Sequence, residues 1–266
     1  MTHALHDVAF ITGASSGIGA VYADRLARRR HDLILVGRDK ARLAAVTAAT
    51  SRHGVAVETI RADLGYGLDV RRLEERLRQD KAITMLVNNA GIGAPPGLAA
   101  ADVDALERMI QVNVTAPTRL AAAAAANFAT AGRGTIVNIA SALALAPELY
   151  NGVYSGTKAF VLNLSLSLRN ELAGRGVRVQ AVLPGATRTA FWGKVGESVE
   201  RLPPEMVMDA DEMVDAALAG LDAGEDVTIP SLPERADWDA FNAARAKLGP
   251  NLSRQHAADR YRRVAA

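Results

Sequence analysis

The chain has 266 residues, of which 49% are hydrophobic and 23% are charged, as expected for a folded globular protein. It contains no cysteine, which excludes disulfides, thiolate zinc sites and a catalytic thiol. The formal net charge is only +2 and basic residues are interleaved with acids, so a pI of about 9.0 gives little support to nucleic-acid binding.

The first residues show no long apolar stretch and no small-residue cleavage site, so no signal peptide is predicted. No apolar run approaches the roughly 20 residues that a helix needs to cross a bilayer. We therefore expect a cytoplasmic protein without a membrane partner.

Strand-like apolar segments alternate with segments of helical composition along the chain. The predicted strands are 8–12, 32–37, 55–60, 83–88, 134–140, 177–183 and 226–230. The clearest predicted helices are 38–52, 102–131 and 211–223. Continuous apolar strands separated by helices are typical of a parallel sheet covered on both faces. We therefore predict an α/β fold, a three-layer αβα Rossmann fold with a doubly wound parallel sheet of about seven strands, in one domain over residues 1–266.

A glycine-rich turn, T-G-A-S-S-G-I-G at 12–19, directly follows the first predicted strand. Gly13, Gly17 and Gly19 permit a tight turn and the close approach of a ligand. The helix that follows offers unpaired N–H groups to a phosphate, as in the dinucleotide sites of doubly wound folds. The spacing is G-x-x-x-G-x-G, and the G-K-[ST] of a P-loop is missing. The turn therefore predicts nucleotide binding.

The second predicted strand ends in V-G-R-D-K, where a dinucleotide's adenosine ribose would lie. Arg38 suits a 2′-phosphate, because its guanidinium can bond two phosphate oxygens at once. Asp39 could instead serve an unphosphorylated ribose, or could simply pair with Arg38 in solvent. We predict that NADP(H) is preferred over NAD(H).

Tyr154 and Lys158 lie four residues apart in Y-S-G-T-K, and on a helix they share one face. A nearby cation favours the phenolate, lowers the pKa of a tyrosine and makes it a better acid–base catalyst at neutral pH. Such pairs are also common on ordinary helices. Ser141, at the end of the preceding strand, favours the catalytic interpretation. Whether Gly156, between the two, serves function or packing stays open.

The segment 185–208 breaks the alternation of strands and helices and contains several glycines and prolines. We predict that residues 190–210 form a substrate lid inserted within the domain, with a plain surface loop as the alternative. Phe191, Trp192 and Met206 suggest an apolar pocket, and Tyr150 is assigned to the substrate-side wall.

The motifs, taken in order, resemble the short-chain dehydrogenase/reductase family. After the glycine turn they are N-N-A-G at 88–91, Asn113 in V-N-V, Ser141 in N-I-A-S, the Y-x-x-x-K pair, and P-G-A-T-R-T at 184–189. Asp63 and Leu64 match the adenine-contacting D-L of that family. The ordered set covers roughly residues 8–190, the span that a Rossmann-type domain needs.

The resemblance implies two sets of site residues. The catalytic set is Asn113, Ser141, Tyr154 and Lys158. The cofactor-binding set is Thr12, Gly13, Ser15, Ser16, Gly17, Ile18, Gly19, Arg38, Asp63, Leu64, Asn89, Ala90, Gly91, Asn113, Tyr154, Lys158, Pro184, Gly185, Thr187 and Thr189. Within it, Ser15 and Arg38 would meet the 2′-phosphate.

The activity implied is that of an NADP(H)-dependent oxidoreductase, which transfers hydride between the nicotinamide and a carbonyl or alcohol substrate. Tyr154 would exchange the proton with the substrate oxygen, and Ser141 would hold that oxygen. Lys158 would lower the pKa of Tyr154 and hold the nicotinamide ribose. Asn113 would hold a water for proton relay.

Further expectations concern partners and alternatives. The resemblance implies a homodimer or homotetramer, with the alanine-rich helix and the helix of Tyr154 at the interface, although the alanine tract could be buried within one subunit. The histidines show no metal-ligand spacing, so no metal is expected. A non-catalytic dinucleotide sensor on the same fold is the alternative function, and the complete catalytic set argues against it. The substrate stays open.

Overall fold

A computed structural model describes residues 7–94, 97–99 and 101–262 of the chain. The described residues form two compact units, one up to residue 230 and one from residue 231. The single domain over residues 1–266 remains a prediction.

The first unit is built on a parallel sheet. The strands are β1 (Val8–Thr12), β2 (Asp32–Gly37), β3 (Val57–Arg61), β4 (Ile83–Asn88), β5 (Gly134–Ile139), β6 (Val177–Val182), β7 (Ala186–Arg188), β8 (Val207–Asp209) and β9 (Val227–Thr228). Within the described ranges, seven of them form one parallel sheet in the order β3-β2-β1-β4-β5-β6-β9. The strand order reverses between β1 and β4, which is where ligands bind in open α/β sheets.

Helices cover both faces of this sheet. They are α1 (Gly17–Arg28), α2 (Lys40–Thr50), α3 (Gly67–Gln79), α4 (Val103–Ile110), α5 (Ala116–Ala131), α6 (Gly152–Glu171), α7 (Phe191–Lys194) and α8 (Ala210–Asp222), with α9 (Arg235–Ala246) in the second unit. Side chains of β1 alternate between faces: Phe10 packs into the core with α3 and α5, and Ile11 into the core with α1 and α8. The predicted three-layer αβα fold with about seven strands is confirmed.

The predicted helix 102–131 is interrupted. It consists of α4, a π-helical turn at Gln111–Thr115 and α5. Pro117 is the second residue after this turn and has no N–H to donate to the Asn113 carbonyl four residues earlier. The missing hydrogen bond explains why the chain departs from the α-helix at Asn113.

The segment predicted as a lid has structure of its own. Residues 190–210 contain α7, short 3₁₀ turns at Val199–Arg201 and Pro204–Met206, and β8, and β7 lies just before them. β7 and β8 pair in parallel as a separate two-stranded sheet. This arrangement makes the segment more ordered than a plain surface loop, and its role as a lid remains a prediction.

The second unit contains α9 and two 3₁₀ turns, Gly249–Asn251 and Asp259–Tyr261. The rings of Trp238 and Phe241 on α9 pack with their centroids 5.6 Å apart. Across the described residues, none of the helices combines the length and the apolar character that crossing a membrane would require.

Candidate active site

The end of β1 is joined to the end of β4 through Thr12. Its hydroxyl oxygen accepts hydrogen bonds from the backbone N–H groups of Asn89 and Ala90, both at 3.0 Å. The Asn89 side chain returns a hydrogen bond to the Thr12 carbonyl at 2.9 Å. Three of the predicted cofactor residues therefore brace the glycine turn from the sheet side.

The turn is packed so closely that two of its glycines leave no room for a side chain. A Cβ on Gly19 would lie 2.4 Å from the Gly13 carbonyl oxygen, and a Cβ on Gly13 would lie 2.8 Å from the Asn89 amide nitrogen. Gly13 also has φ +65°, in the left-handed region. The tight turn between β1 and α1 therefore requires glycine at both positions.

The N-terminus of α1 presents its amides to the same surface. Ser16 is the N-cap residue, and its side chain makes no capping hydrogen bond. Gly17 begins the helix, and Ile18 packs partly against the apolar core. Because no capping side chain accepts from the first-turn N–H groups, those groups and the positive end of the helix dipole suit a phosphate.

Arg38 and Asp39 follow directly after β2. Ser15 of the glycine turn lies close by, since a Cβ on Gly37 would meet its hydroxyl at 3.3 Å. The Asp39 carboxylate accepts from the Arg42 N–H at 3.0 Å and pairs with the Arg42 guanidinium at 3.3 Å. Asp39 is therefore the N-cap of α2 and is engaged by Arg42 rather than by Arg38.

The two predicted adenine contacts lie after β3. The Asp63 carboxylate accepts from the Gly65 N–H at 2.9 Å and from the Arg108 guanidinium at 2.7 Å. Burial raises the pKa of Asp63, but these two partners outweigh it and hold the pKa below its ordinary value. Leu64 is buried in the core. Arg108 on α4 is a neighbour of this site that sequence reasoning did not identify.

The predicted catalytic serine and tyrosine meet at the end of β5. The Ser141 hydroxyl accepts from the Leu143 N–H at 3.2 Å. It also lies close enough to Tyr154 to oppose the rise in the pKa of that phenol. Tyr154 lies in the first turn of α6, which is capped by Asn151. The Asn151 side-chain oxygen accepts from the N–H groups of Val153 and Tyr154, at 3.0 and 3.1 Å. Asn151 was missed, although asparagine before a helix is a recognisable N-cap signal.

Lys158 lies one turn further along α6, on the same face as Tyr154. Its ammonium nitrogen is 5.7 Å from the centre of the Tyr154 ring and donates to the Ile139 carbonyl at 3.0 Å. Both side chains are buried. The catalytic pair expected from the four-residue spacing is therefore brought together beside the end of β5.

The pKa of Tyr154 is a correction to the sequence-based expectation. Burial raises it above its ordinary value, proximity to Tyr150 adds to the rise, and the hydrogen bond with Ser141 opposes it. Burial also lowers the pKa of Lys158 to about 8. The expected lowering of the phenol pKa by Lys158 is not found, because desolvation of the phenolate dominates.

Asn113 and Gly91 lie next to Lys158. A Cβ on Gly91 would meet the Lys158 ammonium nitrogen at 3.4 Å and the Asn113 side-chain oxygen at 3.5 Å. The Asn113 amide donates to the Ile92 carbonyl at 2.8 Å and to the Thr157 hydroxyl at 3.2 Å, and its oxygen accepts from the Ile92 N–H at 2.9 Å. The side chain of Asn113 thus ties the end of β4 to α6.

The segment after β6 runs from the neighbourhood of Ser141 to the N-terminus of α1. The Pro184 carbonyl accepts from Ser141 at 3.4 Å, and the Gly185 carbonyl accepts from the Thr187 hydroxyl at 3.1 Å. The side chain of Thr189 lies over the start of α1, because a Cβ on Gly17 would contact it at 3.1 Å. The predicted residues of this segment therefore span the distance between Ser141 and the glycine turn.

Aromatic rings enclose Tyr154. Tyr150 packs edge-on and Phe191 packs tilted, each with its centroid 5.8 Å from that of Tyr154. The Tyr150 hydroxyl donates to the Ala94 carbonyl at 3.0 Å. The buried neighbours in this cluster are apolar: Ala94, Leu106 and Met109. Of the lid residues singled out from the sequence, Phe191 reaches this cluster, whereas Met206 is exposed and the Trp192 indole donates to the Thr187 carbonyl at 2.9 Å.

The known proteins to which this chain is similar include several oxidoreductases. A family model described as short chain dehydrogenase matches residues 7–200. The chain is 32% identical over 230 residues to an uncharacterised oxidoreductase from Staphylococcus saprophyticus, covering 86% of this chain and 96% of that protein.

Two solved structures are more similar still. A short-chain dehydrogenase from Sphingobium yanoikuyae, in complex with NADPH, superposes with a TM-score of 0.93 at 52% identity, over 96% of this chain and 99% of that chain. The bulky-bulky ketone specific alcohol dehydrogenase from Comamonas testosteroni superposes with a TM-score of 0.88 at 46% identity, over 96% of this chain and 98% of that chain.

Proposed function

The chain belongs to the short chain dehydrogenase family of oxidoreductases, and from this premise we propose that it transfers hydride between NADP(H) and a carbonyl or alcohol substrate, with Tyr154 as general acid and base. The observation that carries the proposal is the meeting of Ser141, Tyr154 and Lys158 beside the end of β5. The site faces the same sheet edge as the glycine turn.

The residues of the turn fit a dinucleotide. The tight glycine turn at Gly13 and Gly19 and the uncapped N-terminus of α1 suit a pyrophosphate. Ser15 and Arg38 would hold the 2′-phosphate, and Asp63 would contact the adenine. Thr187 and Thr189 would contact the nicotinamide half of the cofactor. When bound, NADP(H) supplies or accepts the hydride.

In the reducing direction the chain's own residues manage the proton. The raised pKa keeps the Tyr154 hydroxyl protonated at neutral pH, ready to donate to a carbonyl oxygen. The Ser141 hydroxyl holds that oxygen from beside Tyr154. The buried Lys158 cation then stabilises the phenolate that forms, and this stabilisation lowers the barrier to proton transfer. In the oxidising direction the same groups act in reverse.

Proton return to Tyr154 would pass by way of Lys158 and Asn113. The Asn113 side chain is occupied by Ile92 and Thr157. We therefore propose that the backbone carbonyl of Asn113 holds the relay water. Pro117, four residues later, has no N–H that could donate a hydrogen bond to this carbonyl.

The substrate we propose is an uncharged ketone or alcohol with bulky apolar groups. Tyr150, Phe191 and the aliphatic side chains of their cluster offer apolar surface beside Tyr154. The name of the Comamonas testosteroni relative, a bulky-bulky ketone specific alcohol dehydrogenase, supports this choice. We also propose a cytoplasmic homodimer or homotetramer.

The test is NADPH consumption against a panel of aryl and alkyl ketones and aldehydes, with NADH and a Tyr154→Phe variant as controls. Turnover with NADPH that disappears in the variant is expected. Tight NADPH binding with no turnover across a broad panel would instead favour the non-catalytic dinucleotide sensor.

A further inference from the structure

Arg108 of α4 contacts the segment after β3 at two places. Its guanidinium donates to the Asp63 carboxylate at 2.7 Å, although the two residues are 45 positions apart in the sequence. The guanidinium also lies against Gly65, where an added Cβ would be 2.9 Å from one of its nitrogens and 3.0 Å from its central carbon. Glycine at position 65 therefore leaves the room that Arg108 needs to reach Asp63.

The Asp63 carboxylate is held at both of its oxygens. Oδ1 accepts from the Gly65 N–H at 2.9 Å, and Oδ2 accepts from Arg108. The backbone is fixed as well, because the Asp63 N–H donates to the Asp69 carboxylate at 2.8 Å. The Asp63 side chain is 36% exposed, and the torsion that turns an aspartate carboxylate is broad unless partners hold it. Arg108 therefore fixes the orientation of a carboxylate that a ligand can reach.

A carboxylate held in this way can accept further hydrogen bonds, because each oxygen has two lone pairs. Burial raises the pKa of Asp63, but hydrogen bonds from Gly65 and Arg108 hold the pKa below its ordinary value. The charge of Arg38 acts in the same direction, so the group is ionised at neutral pH and only accepts. The exocyclic amino group of adenine is a donor, whereas the oxygen at the same position of hypoxanthine is an acceptor. Adenine therefore suits Asp63, and hypoxanthine does not.

We propose that Arg108 is a positioning residue for the adenine end of the cofactor, because it holds the Asp63 carboxylate in the orientation that accepts from the adenine amino group. The inference rests on the proposed function, in which Asp63 contacts the adenine. Arg108 orders the carboxylate before the base arrives, and binding therefore does not bear the cost of ordering it. Arg108 thus contributes to recognition of the base through Asp63.

The test measures the dissociation constants of NADPH and of deamino-NADPH, which carries hypoxanthine in place of adenine, by fluorescence titration. The wild type should bind NADPH about tenfold more tightly, as expected for one partly exposed hydrogen bond to a charged group. Arg108→Gln should reduce this preference to about two- to threefold, mainly by weakening NADPH binding. Asp63→Ala should abolish the preference, and the double variant should resemble Asp63→Ala alone, since Arg108 acts through Asp63.

The matched control is Arg76→Gln. Arg76 of α3 donates to both carboxylate oxygens of Glu58, at 2.8 and 2.7 Å, and its side chain is exposed to a similar degree. Glu58 lies near the start of β3, at the opposite end of that strand from Asp63. The control therefore removes an arginine that joins a helix to the same strand, and it should keep the wild-type preference for NADPH.

The other outcomes decide against the proposal in different ways. An Arg108→Gln variant that keeps the full preference overturns the inference and leaves the proposed function intact. Equal weakening of both cofactors in this variant also overturns the inference, because it indicates a structural role. Losses of preference that add in the double variant overturn it too, since they show that Arg108 acts without Asp63. A wild type with equal affinity for both cofactors removes Asp63 from base recognition and the inference with it, and a wild type that binds neither contradicts the proposed function.

Discussion

At the scale of single residues, burial governs the proton chemistry of the site. Tyr154 and Lys158 both lie out of solvent, and burial disfavours the charged form of each. The phenol is held protonated, and the ammonium retains its proton up to a pH of about 8. The pair is therefore set to donate a proton at neutral pH.

The first prediction concerns Tyr154→Phe. The variant should bind NADPH within about twofold of the wild type and lose about 10²- to 10⁴-fold in turnover, because it lacks the proton donor. Steady-state kinetics and NADPH fluorescence titration measure the two quantities. Tyr150→Phe is the matched control: it keeps the ring beside Tyr154, loses the hydrogen bond to Ala94 and the contribution of Tyr150 to the raised Tyr154 pKa, and should keep most activity. Near-normal turnover of Tyr154→Phe would remove Tyr154 from the mechanism.

The second prediction concerns pH and Lys158. Its pKa is about 8 in the folded protein against an ordinary 10.5, so between these values the unfolded chain binds more protons than the folded one. The free energy of unfolding should therefore rise with pH across this window, by about 2–3 kcal/mol from this group. Below the window both states carry the charge, and above it neither does.

Lys158→Met should lack this contribution. Urea unfolding of wild type and variant at about pH 7.5 and pH 9.5 gives the difference, in which the other titrating groups largely cancel. Parallel pH dependence in the two proteins would show that Lys158 is not desolvated in the folded state.

At the scale of elements, the turn between β1 and α1 depends on glycines, which have no side chain. The contacts at Gly19 are with backbone and with the braced Asn89 amide, neither of which can move aside easily. At Gly156 on α6, by contrast, an added Cβ would meet nothing within 4 Å. The glycine between Tyr154 and Lys158 is therefore not required by packing in the described structure.

The third prediction compares these two glycines. Gly19→Ala should lower the free energy of unfolding by about 2–4 kcal/mol and abolish NADPH binding, because the turn must open. Gly156→Ala should raise the free energy of unfolding by about 0.5–1 kcal/mol, because alanine favours a helix, and should retain activity. Urea unfolding and NADPH titration measure both. A stable, cofactor-binding Gly19→Ala would mean that the turn is looser than its contacts indicate.

At the scale of the whole molecule, the surface of α6 is the place where we expect subunits to meet. Most of the alanine tract on α5 is buried against its own unit, which leaves it little area for a partner. Phe160 on α6 is 39% exposed, a large apolar side chain directed away from the core. Apolar side chains of this kind are more common in homodimer interfaces than on free surfaces.

The fourth prediction concerns assembly. Sedimentation velocity should show a dimer or tetramer for the wild type and a smaller species for Phe160→Glu, because a charge at a subunit contact is costly. Leu68→Glu, at an exposed apolar position on α3, is the control and should leave the mass unchanged. A monomeric wild type would contradict the predicted oligomer.

Much of the fold could be predicted because it depends on neighbours in the sequence. Strands 8–12, 32–37 and 83–88 have the predicted bounds, since uninterrupted apolar runs between turn signals specify a buried strand locally. The spacing of Tyr154 and Lys158 likewise specified a shared helix face. The break at Asn113 was missed, although Pro117 was visible as a possible cause.

The sequence by itself determined the family, the order of the strands along the chain and the residue types at the site. Only the tertiary structure decided that Asp39 is engaged by Arg42 and that Gly156 has free space. It also reversed the expected pKa shift of Tyr154. The physical reason is that spacing along the chain specifies which residues share a helix face or strand, whereas desolvation, steric room and charge–charge distance depend on segments far apart in sequence.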